Sequence, residues 1–180
     1  MEKEILLKIA KEAIRTKFTN TTLDIEKLKE LYPQLREKGA VFVTLNLNGN
    51  LRGCIGSLVA HRPLIDDLIH NARAAAFEDP RFPPLSEDEF KNVHIEVSLL
   101  SSPKELFYED IDDLKSKIRP NIDGVILTYG YNRATFLPQV WEQLPTFDLF
   151  FSHLCQKAGL QPDCLENHPQ ILTYQVTKIE

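Results

Sequence analysis

Cysteine, tryptophan and glycine are all scarce in this chain: three, one and seven in 180 residues. Three cysteines are an odd number with no C-x-x-C among them, so they make no disulfide framework and fit a reducing compartment. The five histidines, His61, His70, His94, His153 and His168, never fall in an H-x-x-x-H pattern. None stands beside a cysteine at the spacing of structural zinc or an iron–sulfur cluster, so neither a resident metal nor a cofactor is expected. Gly-rich phosphate loops, H-E-x-x-H and G-x-S-x-G are missing too, which leaves the familiar nucleotide, zinc-hydrolase and serine-hydrolase mechanisms without local support. No apolar run approaches the roughly 18 residues that span a bilayer. Lys8 and Lys11 interrupt the short apolar stretch near the start, so no secretory segment is recognised and a soluble, cytoplasmic protein is expected. Positive charge is in short supply as well. With 21 Lys and Arg against 26 Asp and Glu, and a net charge of -5, a nucleic-acid binder relying on a broad basic surface is disfavoured, though a local basic pocket is not.

What is present is typical of a globular chain: 43% hydrophobic and 26% charged residues, enough for one domain, or one domain with a smaller lobe attached. Ile5, Leu6, Ile9, Ala10, Ala13 and Ile14 recur at helical intervals over residues 3–17. A weaker helical pattern, Leu23 to Leu31, runs to Pro33. Val41 to Leu47 and Leu51 to Leu58 flank Asn48-Gly49-Asn50 and predict a hairpin. Pro63 opens a helix whose stripe is Leu64, Ile65, Leu68, Ile69, Ala72, Ala75 and Ala76, ending before Asp79-Pro80. Ser86-x-x-Glu89 is a capping box for a short helix. Val93 to Leu99 alternates as a strand. A charged helix over 110–119, a second hairpin about Gly130-Tyr131-Asn132, a helix capped by Thr146 and closed by Gly159, and a strand over 171–176 complete the pass. Without regular strand–helix alternation the expected class is α+β, a largely antiparallel sheet flanked by helices.

The segment least explained by packing is Leu51-Arg52-Gly53-Cys54-Ile55-Gly56-Ser57-Leu58. Strand alternation puts Arg52, Cys54 and Gly56 on one face, so a guanidinium would neighbour the sulfur and favour thiolate. Gly53 and Gly56 weaken a strand and suit a place where a ligand or another backbone comes close. The bland alternative is that Cys54 is a small buried core residue. Arg52 could equally grip a carboxylate or phosphate, and Arg81, on the stiff loop Asp79-Pro80-Arg81-Phe82-Pro83-Pro84, could line the same site. His94 and Glu96 share the non-core face of their strand and could move protons, or simply be solvated. Thr135, Gln139 and Trp141 read equally as packing or site residues, while Cys155 and Cys164 are assigned to structure.

Leu51 to Gly56 resembles the hallmark motif of the AMMECR domain family, protein A of the AmmeMemoRadiSam system. Three further stretches resemble it in order: Ala74 to Leu85, Ile95 to Leu100, and Asp123 to Leu127 with Ala134 to Trp141; Lys157-Ala158-Gly159-Leu160 follows. The resemblance implies a single domain over residues 1–180, with a larger lobe made from both chain ends, a smaller lobe, and the cysteine motif near their junction. The corresponding boundaries are set at 1–60 with 90–180, and 61–89. It further implies a small cytosolic protein working with a radical-SAM enzyme and a Memo-like protein. From the residues themselves, with the resemblance adding weight to the thiol, Cys54, Glu96 and His94 are the expected catalytic residues. Arg52, Gly53, Gly56, Arg81, Thr135 and Gln139 are the expected contacts to a small anionic ligand. The competing readings are a noncatalytic adaptor that docks through the Leu51 to Leu58 strand and, more weakly, an RNA or nucleotide binder.

Overall fold

The computed structural model describes residues 3–180 and divides into two compact units. One runs to Leu100 and takes back Thr177–Glu180, and the other is Ser101–Val176. Among the described residues there are six α-helices and two sheets, and the registered strand pairs are antiparallel, so the class is α+β as expected. The division differs from the one expected. Residues 61–89 belong to the first unit because the helix they carry buries its apolar stripe in that unit's core, whereas residues 101–176 enclose a separate core.

The first unit contains α1 (Glu4–Arg15), α2 (Ile25–Leu31), β1 (Lys38–Leu47), β2 (Asn50–Gly56), β3 (Arg62–Pro63), α3 (Leu64–Phe77), α4 (Glu87–Asn92), β4 (His94–Leu100) and, from the far end of the chain, all but the first residue of β9 (Val176–Ile179). Its sheet runs β2-β1-β4-β9, with β3 paired to the start of β1. Val41, Val43, Leu45, Ile95, Val97 and Ile179 are buried in a core shared with α1 and α3. Period-two alternation turns Phe42, Thr44, Asn46, His94, Glu96 and Ser98 to the opposite face. Asn48 and Gly49 both have positive φ, 52° and 77°, the backbone that a two-residue hairpin turn requires. Asp67 of α3, fully buried, ties the layers together. Its carboxylate accepts hydrogen bonds from Val41 N–H, Asn71 Nδ2, Ser57 Oγ and Arg62 Nε at 2.7–3.1 Å.

The second unit contains β5 (Lys104–Glu105), α5 (Ile111–Lys117), β6 (Gly124–Tyr129), β7 (Asn132–Phe136), α6 (Phe147–Lys157) and β8 (Gln170–Tyr174), in a sheet ordered β5-β8-β6-β7. Trp141 stacks on Phe150 with ring centroids 3.7 Å apart. Cys155 of α6 is disulfide-bonded to Cys164, their Cα atoms 5.8 Å apart. This corrects the expectation that the cysteines form no disulfide, and it removes cysteine usage as support for a reducing compartment. The single strand expected over 171–176 is two: the chain leaves β8 at Gln175 and enters the other sheet as β9.

Candidate functional site

The hairpin that carries Cys54 is not regular. Leu47 faces Asn50 and Asn46 faces Leu51, but Leu45 faces Gly53 and Thr44 faces Cys54, so one extra residue, Arg52, is accommodated on β2 as a bulge. An unbroken register would set Cys54 opposite Val43, on the buried face. The bulge moves it opposite Thr44, on the polar face, since a one-residue slip exchanges the faces of a strand. Cys54 is half-buried and is the cysteine left free by the disulfide. The Thr44 hydroxyl lies 3.3 Å from its sulfur.

Arg52 follows a different course from the one expected. Its side chain is buried, Nε donates to Glu89 Oε2 at 2.7 Å, and Nη2 donates to Glu89 Oε1 and to the Pro83 carbonyl at 3.1 and 2.8 Å. The guanidinium therefore anchors α4 and its preceding loop rather than standing free for a ligand. Gly53 and Gly56 are also accounted for by packing. A Cβ at Gly53 would strike the Ala75 carbonyl of α3, and one at Gly56 would strike the Phe42 ring, so close approach of protein, not of ligand, requires them.

The positive charge at Cys54 comes from Arg81. In the outermost strand of the sheet, Cys54 N–H and C=O point away from β1, and the loop after α3 satisfies both. The Asp79 carboxylate accepts from Cys54 N–H at 3.0 Å, and Arg81 Nη2 donates to the Cys54 carbonyl at 3.3 Å. Asp79 also accepts from Arg81 N–H, Nε and Nη2 at 2.8–3.1 Å. The Arg81 guanidinium holds the buried Asp79 carboxyl well below the usual carboxylate range, against burial, which pushes it up. In return the hydrogen bond to Asp79 raises Arg81. The Arg81 side chain remains 53% exposed, fixed at one end and open at the other.

Glu96 lies opposite Thr44 on β4, with His94 two residues before it opposite Asn46. Glu96 is ion-paired to Lys178 of β9 at 3.3 Å, and His94 Nε2 is 4.0 Å from Glu96 Oε1. The face thus carries a polar row of Cys54, Thr44, Glu96 and Lys178. Thr135 and Gln139 belong to the second unit, where the Thr135 hydroxyl pairs with the Tyr174 hydroxyl at 3.0 Å and Gln139 is exposed in a short 3-10 turn. Sequence reading missed Thr44, Asp79 and Lys178. Asp79 had a signal, because an Asp before a turn commonly bonds the backbone two residues on. Thr44 had none, since its partner depends on the bulge.

The AMMECR1 family profile matches residues 7–179, and the chain belongs to that family. It is 39% identical over 179 residues to a protein of Methanothermobacter thermautotrophicus, covering 97% of this chain and 90% of the other. A protein of Sulfolobus acidocaldarius is 39% identical over 172 residues, 90% of this chain and 73% of that one. The crystal structure of uncharacterized protein PH0010 from Pyrococcus horikoshii superposes with a TM-score of 0.75 at 35% identity, over 97% of this chain and 89% of that one. No helix among the described residues is long and apolar enough to cross a membrane.

Proposed function

We propose that this AMMECR1-family chain is an enzyme or enzyme subunit in which Cys54 is the nucleophile and Arg81 holds the anionic group of a small substrate. The observation that carries the reading is a free sulfur on the polar face of the sheet, with an exposed guanidinium clamped by Asp79 against its backbone. A fixed, half-open guanidinium presents donors to a carboxylate or phosphate at little entropic cost. The thiol passes its proton through solvent water to the departing group, the sulfur bonds to an electrophilic carbon of the substrate, and the bond to the leaving group breaks with its electron pair departing on that group. Thr44 orients the sulfur. A cytoplasmic location and joint action with a radical-SAM enzyme and a Memo-like protein belong to the same proposal, and reciprocal pull-down tests the partners. The adaptor reading is less favoured in one form, addition of a partner strand to β2, because Asp79 and Arg81 already occupy the outer edge at Cys54.

Charge selectivity of alkylation tests the site. Relative to free cysteine, Cys54 should react about threefold or more faster with the anion iodoacetate than its rate with neutral iodoacetamide predicts, and Arg81→Gln should abolish that preference. Mass spectrometry assigns the labelled residue. An unselective Cys54, or a selectivity that survives Arg81→Gln, rejects the anion-binding role.

A further inference from the structure

We propose that His94, Glu96 and Glu180 form a binding site for one divalent transition-metal ion of the zinc class, seated where the Lys178 ammonium lies. The thiol reading is not needed for it. His94 and Glu96 are two residues apart on one strand and so share a face, and Glu180 follows β9, the neighbouring strand. His94 Nε2 is 4.0 Å from Glu96 Oε1 and 4.0 Å from Glu180 Oε2, and the three residues offer ligand atoms within 4.8 Å of one another. In a tetrahedral site with ligand atoms at about 2.1 Å, neighbouring ligand atoms are about 3.4 Å apart. Both histidine distances exceed that, so rotations of the exposed His94 and Glu180 side chains bring the three donors onto one ion.

A second observation concerns charge. Lys178 Nζ lies 3.3 Å from Glu96 and 3.4 Å from Glu180, so a cation is already drawn to the point on which the donors converge. An ion seated there displaces that ammonium, and a divalent ion neutralises both carboxylates where one ammonium leaves a surplus negative charge. Lys178 itself and, lining the adjoining hollow with His94 and Glu180, Lys8 and Lys11 are the nearby charges that oppose binding. One imidazole with two carboxylates suits zinc, iron, cobalt or nickel better than calcium or magnesium, which prefer all-oxygen shells. Three protein ligands leave a coordination position open for water or substrate. Because Glu96 faces Thr44 and Thr44 faces Cys54, the ion would share the sulfur's face of the sheet, between two and three strand spacings, or about 10–14 Å, away. His94 and Glu96 share one strand in the middle of the chain, while Glu180 arrives with β9 more than 80 residues later, and for that reason no local spacing announced the third ligand.

Titration of the purified, chelator-treated chain with Co2+ alone, read by its visible d–d band and by calorimetry, tests the site. One equivalent should bind. His94→Ala should weaken binding by about tenfold or more. Lys178→Met, which frees both carboxylates, should tighten it severalfold, and Cys54→Ser should leave it unchanged. Absence of stoichiometric binding, equal affinity of the His94→Ala and Lys178→Met proteins to the parent, or loss of binding in Cys54→Ser overturns the proposal. Lys178 is an exposed side chain, so its variant remains readable even if His94→Ala folds poorly.

Discussion

Gly53 and Gly56 sit three residues apart on the same strand and answer to different neighbours. A methyl group at Gly53 meets a backbone carbonyl of α3, which cannot yield without moving the helix, whereas at Gly56 it meets the Phe42 ring near its attachment point, so the whole Phe42 side chain must swing to another rotamer while the backbone stays in place. Gly53→Ala should therefore cost about 3 kcal/mol or more and Gly56→Ala about 1–2 kcal/mol, read from urea midpoints. Phe42→Ala should rescue the second and not the first. Glu89 provides a pH signature. The Arg52 hydrogen bond, helped by Ser86 N–H and opposed by burial, holds its carboxyl down to about 2, while in an unfolded chain it titrates near about 4.3. A carboxylate depressed by folding stabilises above the unfolded value, and that contribution disappears as pH falls from there through the folded one. Thermal unfolding of the parent should thus show a loss of about 1–2 kcal/mol over this window. Arg52→Met should start lower and show a flatter dependence there. The lowered Asp79 carries its own share of acid sensitivity to lower pH.

Most elements were legible because each obeys a local rule. The Asn48-Gly49 turn, the Ser86 capping box and the Thr146 cap are all observed, and the α3 stripe packs as its periodicity requires. The β2 bulge was not legible, because nothing in Arg52 itself says that it is the additional residue. Its pairing with Glu89, 37 positions away, shows what accommodates it. The disulfide was hidden for a related reason. Cys155 lies on the apolar stripe of α6, as read, but its partner arrives by a turn whose path the sequence does not state. The crosslink closes a loop of nine residues' separation, worth about 3 kcal/mol by chain entropy. Thiol counting in denaturant should find one free thiol before reduction and three after it. The Cys155→Ala/Cys164→Ala protein should unfold at lower urea in the transition reported by Trp141, the single tryptophan, which lies in that unit.

On the scale of the whole molecule, the chain returns to its first sheet only at the end. β9 covers the edge of β4, and Ile179 is buried in the first unit's core. Deleting Thr177–Glu180 should bare that edge, lower the midpoint of the circular-dichroism transition more than that of Trp141 fluorescence, and promote self-association measurable by sedimentation. Composition, periodicity and turn chemistry by themselves determined the α+β class and most of the elements, because these rest on residues within a few positions of one another, and the motif from Leu51 to Gly56 with the stretches after it carried the resemblance to the AMMECR family that the family profile bears out. Tertiary structure decided which unit each segment joins, which cysteines pair, and that Arg81 rather than Arg52 stands at Cys54. It also decided that the sulfur faces the polar side of the sheet. A strand's two faces exchange with every single-residue slip, so a bulge supported by a glutamate on a distant helix outranks anything that the strand's own sequence could specify.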